Sequence, residues 1–99
     1  MTFPQFTIIT VVYNDLQGLV STSNSIASQV HNDFEWIVID GDSIDGTKEF
    51  ISKSPLISKW ISEKDSGIYD AMNKGIKMAS GRYVVFLNAG DIFPNDLTL

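Results

Sequence analysis

Two runs in this chain, Phe6 to Tyr13 and Phe34 to Asp40, are apolar or β-branched at nearly every position and barely alternate. A strand with one wet face alternates apolar and polar residues. A strand covered on both faces does not, and such coverage belongs to parallel sheets flanked by helices. Between the two runs, Asn14 or Asp15 can cap a helix with apolar positions at Leu16, Leu19, Val20, Ile26, Ala27 and Val30. These form one stripe at helical period, interrupted by Ser23, until His31-Asn32-Asp33 breaks it. After Asp40, Gly41 to Gly46 reads as a loop, and Asp45 can cap a short helix to Lys53 that turns Phe50 and Ile51 inward. Pro55 ends that helix, and Lys59 to Glu63 reads as a short third strand. Asp65-Ser66-Gly67 is turn chemistry. Ile68 to Ala79 reads as a helix with Ile68, Met72, Ile76 and Ala79 on one side and Asp70, Lys74 and Lys77 opposite. Gly81 is expected to close it as a left-handed cap. Tyr83 to Leu87 is the most apolar strand. The order β-α-β-α-β-α-β implies right-handed crossovers and an α/β fold, a Rossmann-like three-layer α/β/α arrangement on a mainly parallel sheet.

Ninety-nine residues suffice for one core and not for two. Seven Lys and Arg against twelve Asp and Glu leave a net charge of −5, so no basic field exists to grip nucleic acid or an anionic membrane. The absence of cysteine excludes disulfides, zinc ribbons and thiol nucleophiles. No apolar run approaches the length of a membrane span. The N-terminus lacks the basic and apolar regions of a signal peptide, which makes the cytoplasm the expected compartment. No internal repeat or linker is present.

In an open α/β sheet, ligands bind outside the carboxyl ends of the strands. Here those ends are Tyr13-Asn14, Asp40-Gly41-Asp42 and Asn88-Ala89-Gly90-Asp91, which should converge on one edge. Asp40 continues a buried strand, so its carboxylate is expected to emerge at that edge. Asp42 and Asp45 suit turns and caps as well as ligands. A calcium loop counted from Asp40 fails, because Ile44 and Ile51 fall on ligand positions. Asp91 is either a helix cap or a hard oxygen ligand for Mg²⁺ or Mn²⁺, with a substrate phosphate completing the site. Asp70 and Lys74 form an i,i+4 pair beside Asn73, usually a solvated feature. His31 reads as a surface residue, and Trp36, Trp60 and the Phe residues read as core. No dinucleotide fingerprint, P-loop or Ser-His-Asp arrangement is present.

Taken together, four segments resemble the family 2 glycosyltransferases of GT-A fold. They are Thr7 to Asn14, Glu35 to Thr47, Ser62 to Ile76 and Phe86 to Asp91. The third and fourth are most similar to a subgroup from exopolysaccharide clusters, colanic-acid-type enzymes among them. The resemblance covers essentially the whole chain and implies a nucleotide-diphosphate-sugar donor and a saccharide or lipid-linked acceptor. It implies that Thr10, Tyr13 and Asn14 line the base pocket and that Asp40 contacts base or ribose. Asp70, Asn73 and Lys74 match a subgroup signature at the donor site, and Asp91 matches the last carboxylate of a metal-binding motif.

The chain departs from the family at two points. Gly41 stands where a second Asp is common, which shifts the base contact toward Asp42 or the backbone. Asn88-Ala89-Gly90-Asp91 keeps one carboxylate of the usual pair. A divalent cation, Mn²⁺ or Mg²⁺, would reverse the repulsion between an acidic protein and a diphosphate and stabilise the leaving group. Members usually invert the anomeric centre, with a base from the later half of the catalytic domain. The chain is therefore expected to be the donor-binding half of a longer enzyme, inactive alone and prone to self-association, with peripheral membrane association open to the longer protein. The competing expectations are a nucleotide-binding or regulatory module without transferase chemistry, and a receiver-like domain, which lacks the Lys and Thr switch positions it would need.

Overall fold

The computed structural model describes residues 4–28 and 33–90. Within them the chain runs β1 (Phe6–Val12), α1 (Leu16–Ala27), β2 (Phe34–Asp40), α2 (Thr47–Lys53), β3 (Lys59–Ser62), α3 (Ile68–Met78) and β4 (Tyr83–Phe86). The strands form one sheet in the order β3-β2-β1-β4, and every pairing is parallel. β1 and β2 are the inner strands, which accounts for their lack of alternation: side chains on both faces are covered.

Ile8 and Val12 of β1 and Trp36 and Val38 of β2 pack under α1 and α2 through Leu19, Ile26 and Ile51. Ile9, Ile37 and Ile39 face the other way and pack under α3 at Ala71. The result is the expected three layers. Asp15 caps α1, its side chain accepting from the Gly18 amide at 3.1 Å. Val30 and His31 lie outside the described residues.

Four expectations about packing are corrected. On α3, Ile68 and Ile76 are about half exposed, and the helix docks instead on Ala71 and Gly75. A Cβ on Gly75 would lie 2.5 Å from Ile9 Cγ2, so this helix reaches the sheet only on its smallest face. Gly81 is not a left-handed cap. Its amide donates to Thr7 Oγ1 at 2.8 Å, and a Cβ there would sit 2.5 Å from the Thr7 amide nitrogen. Trp60 and Phe86, expected in the core, are 44% and 38% exposed. Both lie on edge strands, and β4, the most apolar strand by composition, leaves Tyr83 and Val84 exposed as well.

At the N-terminal end of the sheet, buried Glu35 ties the α3–β4 turn to the strands. Its carboxylate accepts from Thr7 Oγ1 at 2.8 Å, the Ser80 amide at 2.6 Å and Ser80 Oγ at 2.7 Å. Lys59 Nζ stands 3.4 Å away. Burial pushes this carboxyl up, but the Ser80 and Thr7 hydrogen bonds and the Lys59 charge outweigh it and hold Glu35 below its ordinary 4.5. A carboxyl lowered in the folded state contributes stability that is present above the unfolded pKa and is lost as pH falls through the folded one. Urea unfolding at pH 7, 5 and 3 should therefore show an acid-dependent loss that is reduced in Glu35→Gln. An identical pH profile in that variant would remove the assignment.

Candidate functional site

The order of strands reverses at β1, so its exit loop is flanked by the exits of β2 and β4. Hydrogen bonds bind the three loops together. The Gly41 amide donates to the Val12 carbonyl at 2.9 Å. Asn14 takes a left-handed conformation, φ 47°, tolerated by a short amide side chain. In that conformation its amide donates to Ser43 Oγ at 2.7 Å, while its Oδ1 accepts from the Ile44 amide at 2.8 Å. Asp45 accepts from the Leu16 amide at 3.0 Å and from the amide and hydroxyl of Thr47, and the Thr47 hydroxyl is the main reason its carboxyl lies below the ordinary value. It thus joins the starts of α1 and α2. On the other side, the Ala89 amide donates to the Val11 carbonyl at 3.2 Å and the Gly90 amide to the Gly18 carbonyl at 3.0 Å.

Beside these loops lies a cleft of about 270 Å³ lined by Tyr13, Gly41, Lys64, Asp65 and Gly67. Tyr13 is 65% exposed. Asp65 Oδ1 accepts from the Gly67 amide at 3.2 Å, and its Oδ2 would lie 3.2 Å from a Cβ on Gly41. The missing side chain at Gly41 therefore lets Tyr13 and Asp65 approach each other across the cleft floor. Asp70 and Lys74 do not line it but brace its wall. The Ser66 amide donates to Asp70 at 2.9 Å, and Lys74 Nζ lies 3.1 Å from Glu63, 3.5 Å from Asp70 and 3.3 Å from the Lys64 carbonyl. The Ser66 amide, aided by Lys74, holds the Asp70 carboxyl below its ordinary value.

Of the residues singled out from sequence, Tyr13 lines the cleft and Asn14 shapes its rim. Asp42 sits on the rim at φ 73° and pairs with Lys48; that hydrogen bond, with a smaller effect from Lys64, lowers its carboxyl pKa. Asn73 is exposed on α3. Thr10 is in the core, fully buried, with its hydroxyl accepting from Trp36 Nε1 at 2.9 Å. Asp40 does not emerge at the edge. It is fully buried, and its carboxylate accepts from the Ser43 amide at 3.0 Å, from Ser43 Oγ, and from Ser62 Oγ at 2.8 Å. The register explains this, because Asp40 pairs with Ser62 of β3 and the hydroxyl comes to it from the neighbouring strand. Asp91 lies outside the described residues. Among those described, no group of three or more His, Cys, Asp or Glu could hold a metal; Asp15 Oδ2 stands 4.0 Å from where a Gly90 Cβ would be.

The inward role of Asp40 and the place of Lys64 and Asp65 in the cleft were not found from sequence. Asp65-Ser66-Gly67 carries ordinary turn chemistry, and its proximity to Gly41 depends on strand order. A larger apolar groove of about 780 Å³ runs between α1 and α2, lined by Leu16, Val20, Phe50 and Leu56 among others. It belongs to the helix layer, whereas polar groups converge at the strand ends.

An uncharacterized glycosyltransferase of Mycobacterium tuberculosis is 44% identical over 92 residues, 91% of this chain and 35% of that protein. A PGL/p-HBAD biosynthesis glycosyltransferase of Mycobacterium bovis is 36% identical over 95 residues, 92% of this chain and 37% of that protein. Among solved structures, the mannosyltransferase PcManGT from Pyrobaculum calidifontis, in complex with GDP-Man and Mn²⁺, superposes with a TM-score of 0.78 at 25% identity. That match covers 94% of this chain and 29% of the other. The chain thus spans little more than a third of the length of these curated relatives. The family model for glycosyl transferase family 2 matches residues 7–99, and with the parallel sheet and the polar loops at its carboxyl edge this chain belongs to that family.

Proposed function

We propose that the chain is the N-terminal, donor-binding part of a transferase of GT-A fold. It moves a sugar, of hexose type and with inversion, from a nucleotide-diphosphate-sugar to a saccharide or lipid-linked acceptor in cell-surface polysaccharide synthesis. The observation that carries this is the cleft at the carboxyl edge, where Tyr13, Lys64 and Asp65 meet over Gly41. An aromatic face, a cation and a carboxylate suit a nucleoside, and the exit of β4, adjoining the same β1 loop, suits its diphosphate.

Asp91 is proposed as the protein's metal ligand. With no complete cluster among the described residues, Mn²⁺ or Mg²⁺ would be held jointly by Asp91 and the donor's phosphates. When bound, the cation offsets charge on the departing nucleotide. The chain's own residues do the rest of donor binding: Tyr13 offers a flat face, Asn14 and Ser43 fix the loops, and Asp70 and Lys74 hold the wall that carries Lys64 and Asp65. The base that deprotonates the acceptor is proposed to lie in the part of the relatives' length that this chain does not span, and the site of action to be the cytoplasm or the inner membrane face. No helix among the described residues is long and apolar enough to cross a membrane.

Isothermal titration with nucleoside diphosphates should show binding that needs Mn²⁺. Asp91→Asn should weaken the metal's contribution by on the order of 10- to 100-fold. Binding indifferent to a chelator would remove the metal from the site. Nucleotide binding by a protein of the relatives' full length, without transfer to any acceptor, would favour a non-catalytic module instead.

A further inference from the structure

We propose that Thr22 is a positioning residue for the metal end of the donor site. From the buried face of α1 its hydroxyl clamps the Asn88–Gly90 turn, which leads directly into Asp91. This rests on the donor reading above, in which Asp91 is the metal ligand, and adds the element that orients the chain before it.

Thr22 stands in an otherwise apolar stripe. The buried residues of α1 are Leu19, Thr22 and Ile26, and Thr22 is fully buried. Packing alone calls for an aliphatic side chain there, because a hydroxyl in the core must be matched by partners. Partners come from the exit of β4. The hydroxyl accepts from the Gly90 amide at 3.0 Å and donates to the Asn88 carbonyl at 3.4 Å. One side chain thus holds both ends of a three-residue turn. Helical side chains lean toward the N-terminus, which brings the Thr22 hydroxyl beside the carbonyl one turn back, that of Gly18. The Gly90 amide meets that carbonyl at 3.0 Å as well.

The sheet holds the other side of the turn. The Leu87 and Ala89 amides donate to the Ile9 and Val11 carbonyls at 2.9 and 3.2 Å. Gly90 then takes a left-handed φ of 94°. The sheet bonds fix the chain as far as Ala89, and the direction beyond it is set by the Gly90 amide, shared between Gly18 and Thr22. A ligand whose backbone is fixed in advance loses less freedom when it meets a cation. Outer partners of this kind change metal affinity by about 10- to 100-fold when they are removed.

The test compares the unmodified protein with Thr22→Val, Thr22→Ser and Thr22→Ala. Valine keeps the shape and branching of threonine without the hydroxyl. Serine keeps the hydroxyl without the methyl, and alanine has neither. Each form is titrated with UDP and GDP, in Mn²⁺ and in chelator, well below its melting midpoint. The ratio of the two affinities is the metal's contribution. Amide exchange at Gly90 is followed by NMR in the metal-free protein. Thr22→Val should speed that exchange about tenfold and cut the metal's contribution about tenfold, with affinity in chelator held within about twofold. Thr22→Ser should stay near the unmodified protein in both readouts, although it melts lower for want of a buried methyl. If Thr22→Val does not fold, the difference between Ser and Ala isolates the hydroxyl in the same way. A merely structural threonine gives the reverse order, with Val harmless and Ser impaired. That order, or a metal contribution unchanged in both Val and Ala, would overturn the inference and leave the donor reading standing. An unmodified protein whose affinity Mn²⁺ does not raise would overturn the metal reading and this inference together.

Discussion

Asp40→Ala should lower the melting temperature far more than it lowers nucleotide affinity. The carboxylate is fully buried and receives donors from Ser43 and Ser62. Removing it leaves those donors in a space closed to water, a loss of about 3 kcal/mol, or roughly 12–24 °C for a domain of this size. The carbonyl of the same residue accepts from the Glu63 amide at 3.0 Å, so the loosening would spread to the segment that carries Lys64 and Asp65. Asp40→Asn retains an oxygen acceptor and should lose about half as much. Its affinity for nucleoside diphosphate, measured well below its own midpoint, should stay close to that of the unmodified protein. An unchanged melting temperature together with abolished binding would return Asp40 to the role of a ligand.

Gly81→Ala should be of similar size for a different reason. The added methyl would meet the Thr7 amide nitrogen at 2.5 Å and the Phe6 carbonyl carbon at 2.6 Å. Both are backbone atoms of an inner strand and cannot rotate aside. Relief requires moving the α3–β4 turn, which breaks the Gly81–Thr7 hydrogen bond and disturbs Ser80 against Glu35. Overpacking against fixed atoms costs about 3 kcal/mol, the upper part of its usual range. Gly75→Ala provides the contrast: its methyl would meet side-chain rather than backbone atoms, the Ile9 Cγ2 branch methyl at 2.5 Å. Ile9 can shift slightly, and alanine regains about 1 kcal/mol of helix propensity. The net loss there should be near 1 kcal/mol. Chemical denaturation of the two variants would rank them, and equal losses would show that the turn at Gly81 yields as readily as the Ile9 side chain.

The fold class and the edge at which the loops meet follow from the order and polarity of residues alone. Runs at Phe6 to Tyr13 and Phe34 to Asp40, apolar or β-branched at nearly every position, require cover on both faces, and helical stripes between strands supply it. Strand polarity alone puts Tyr13, Asn14 and the Asp-rich loop after β2 at the same edge, where Asn14 bonds Ser43 and Ile44. Periodicity reports what covers a segment on average and carries no record of which element does so. Tyr83 to Leu87 reads as the most apolar strand, yet among the described residues Tyr83–Phe86 lies at the margin of the sheet with three of its four side chains exposed. The α3 stripe predicted Ile68 and Ile76 inward, but the approach distance to Ile9 favoured the smaller Ala71 and Gly75. The same limit governs the site. Asp40 continues an apolar strand and Asp65 opens a turn, but neither local context says which carboxylate turns inward and which faces the cleft. Tertiary structure decides between them, because β3 brings Ser62 beside Asp40 and satisfies it. The following loop lays Asp65 over the bare backbone of Gly41, where its second oxygen faces the cleft. A carboxylate's role follows from which donors reach it: Ser43 reaches Asp40 from 3 residues on, but Ser62 lies 22 residues away, a separation that only the register of the sheet closes.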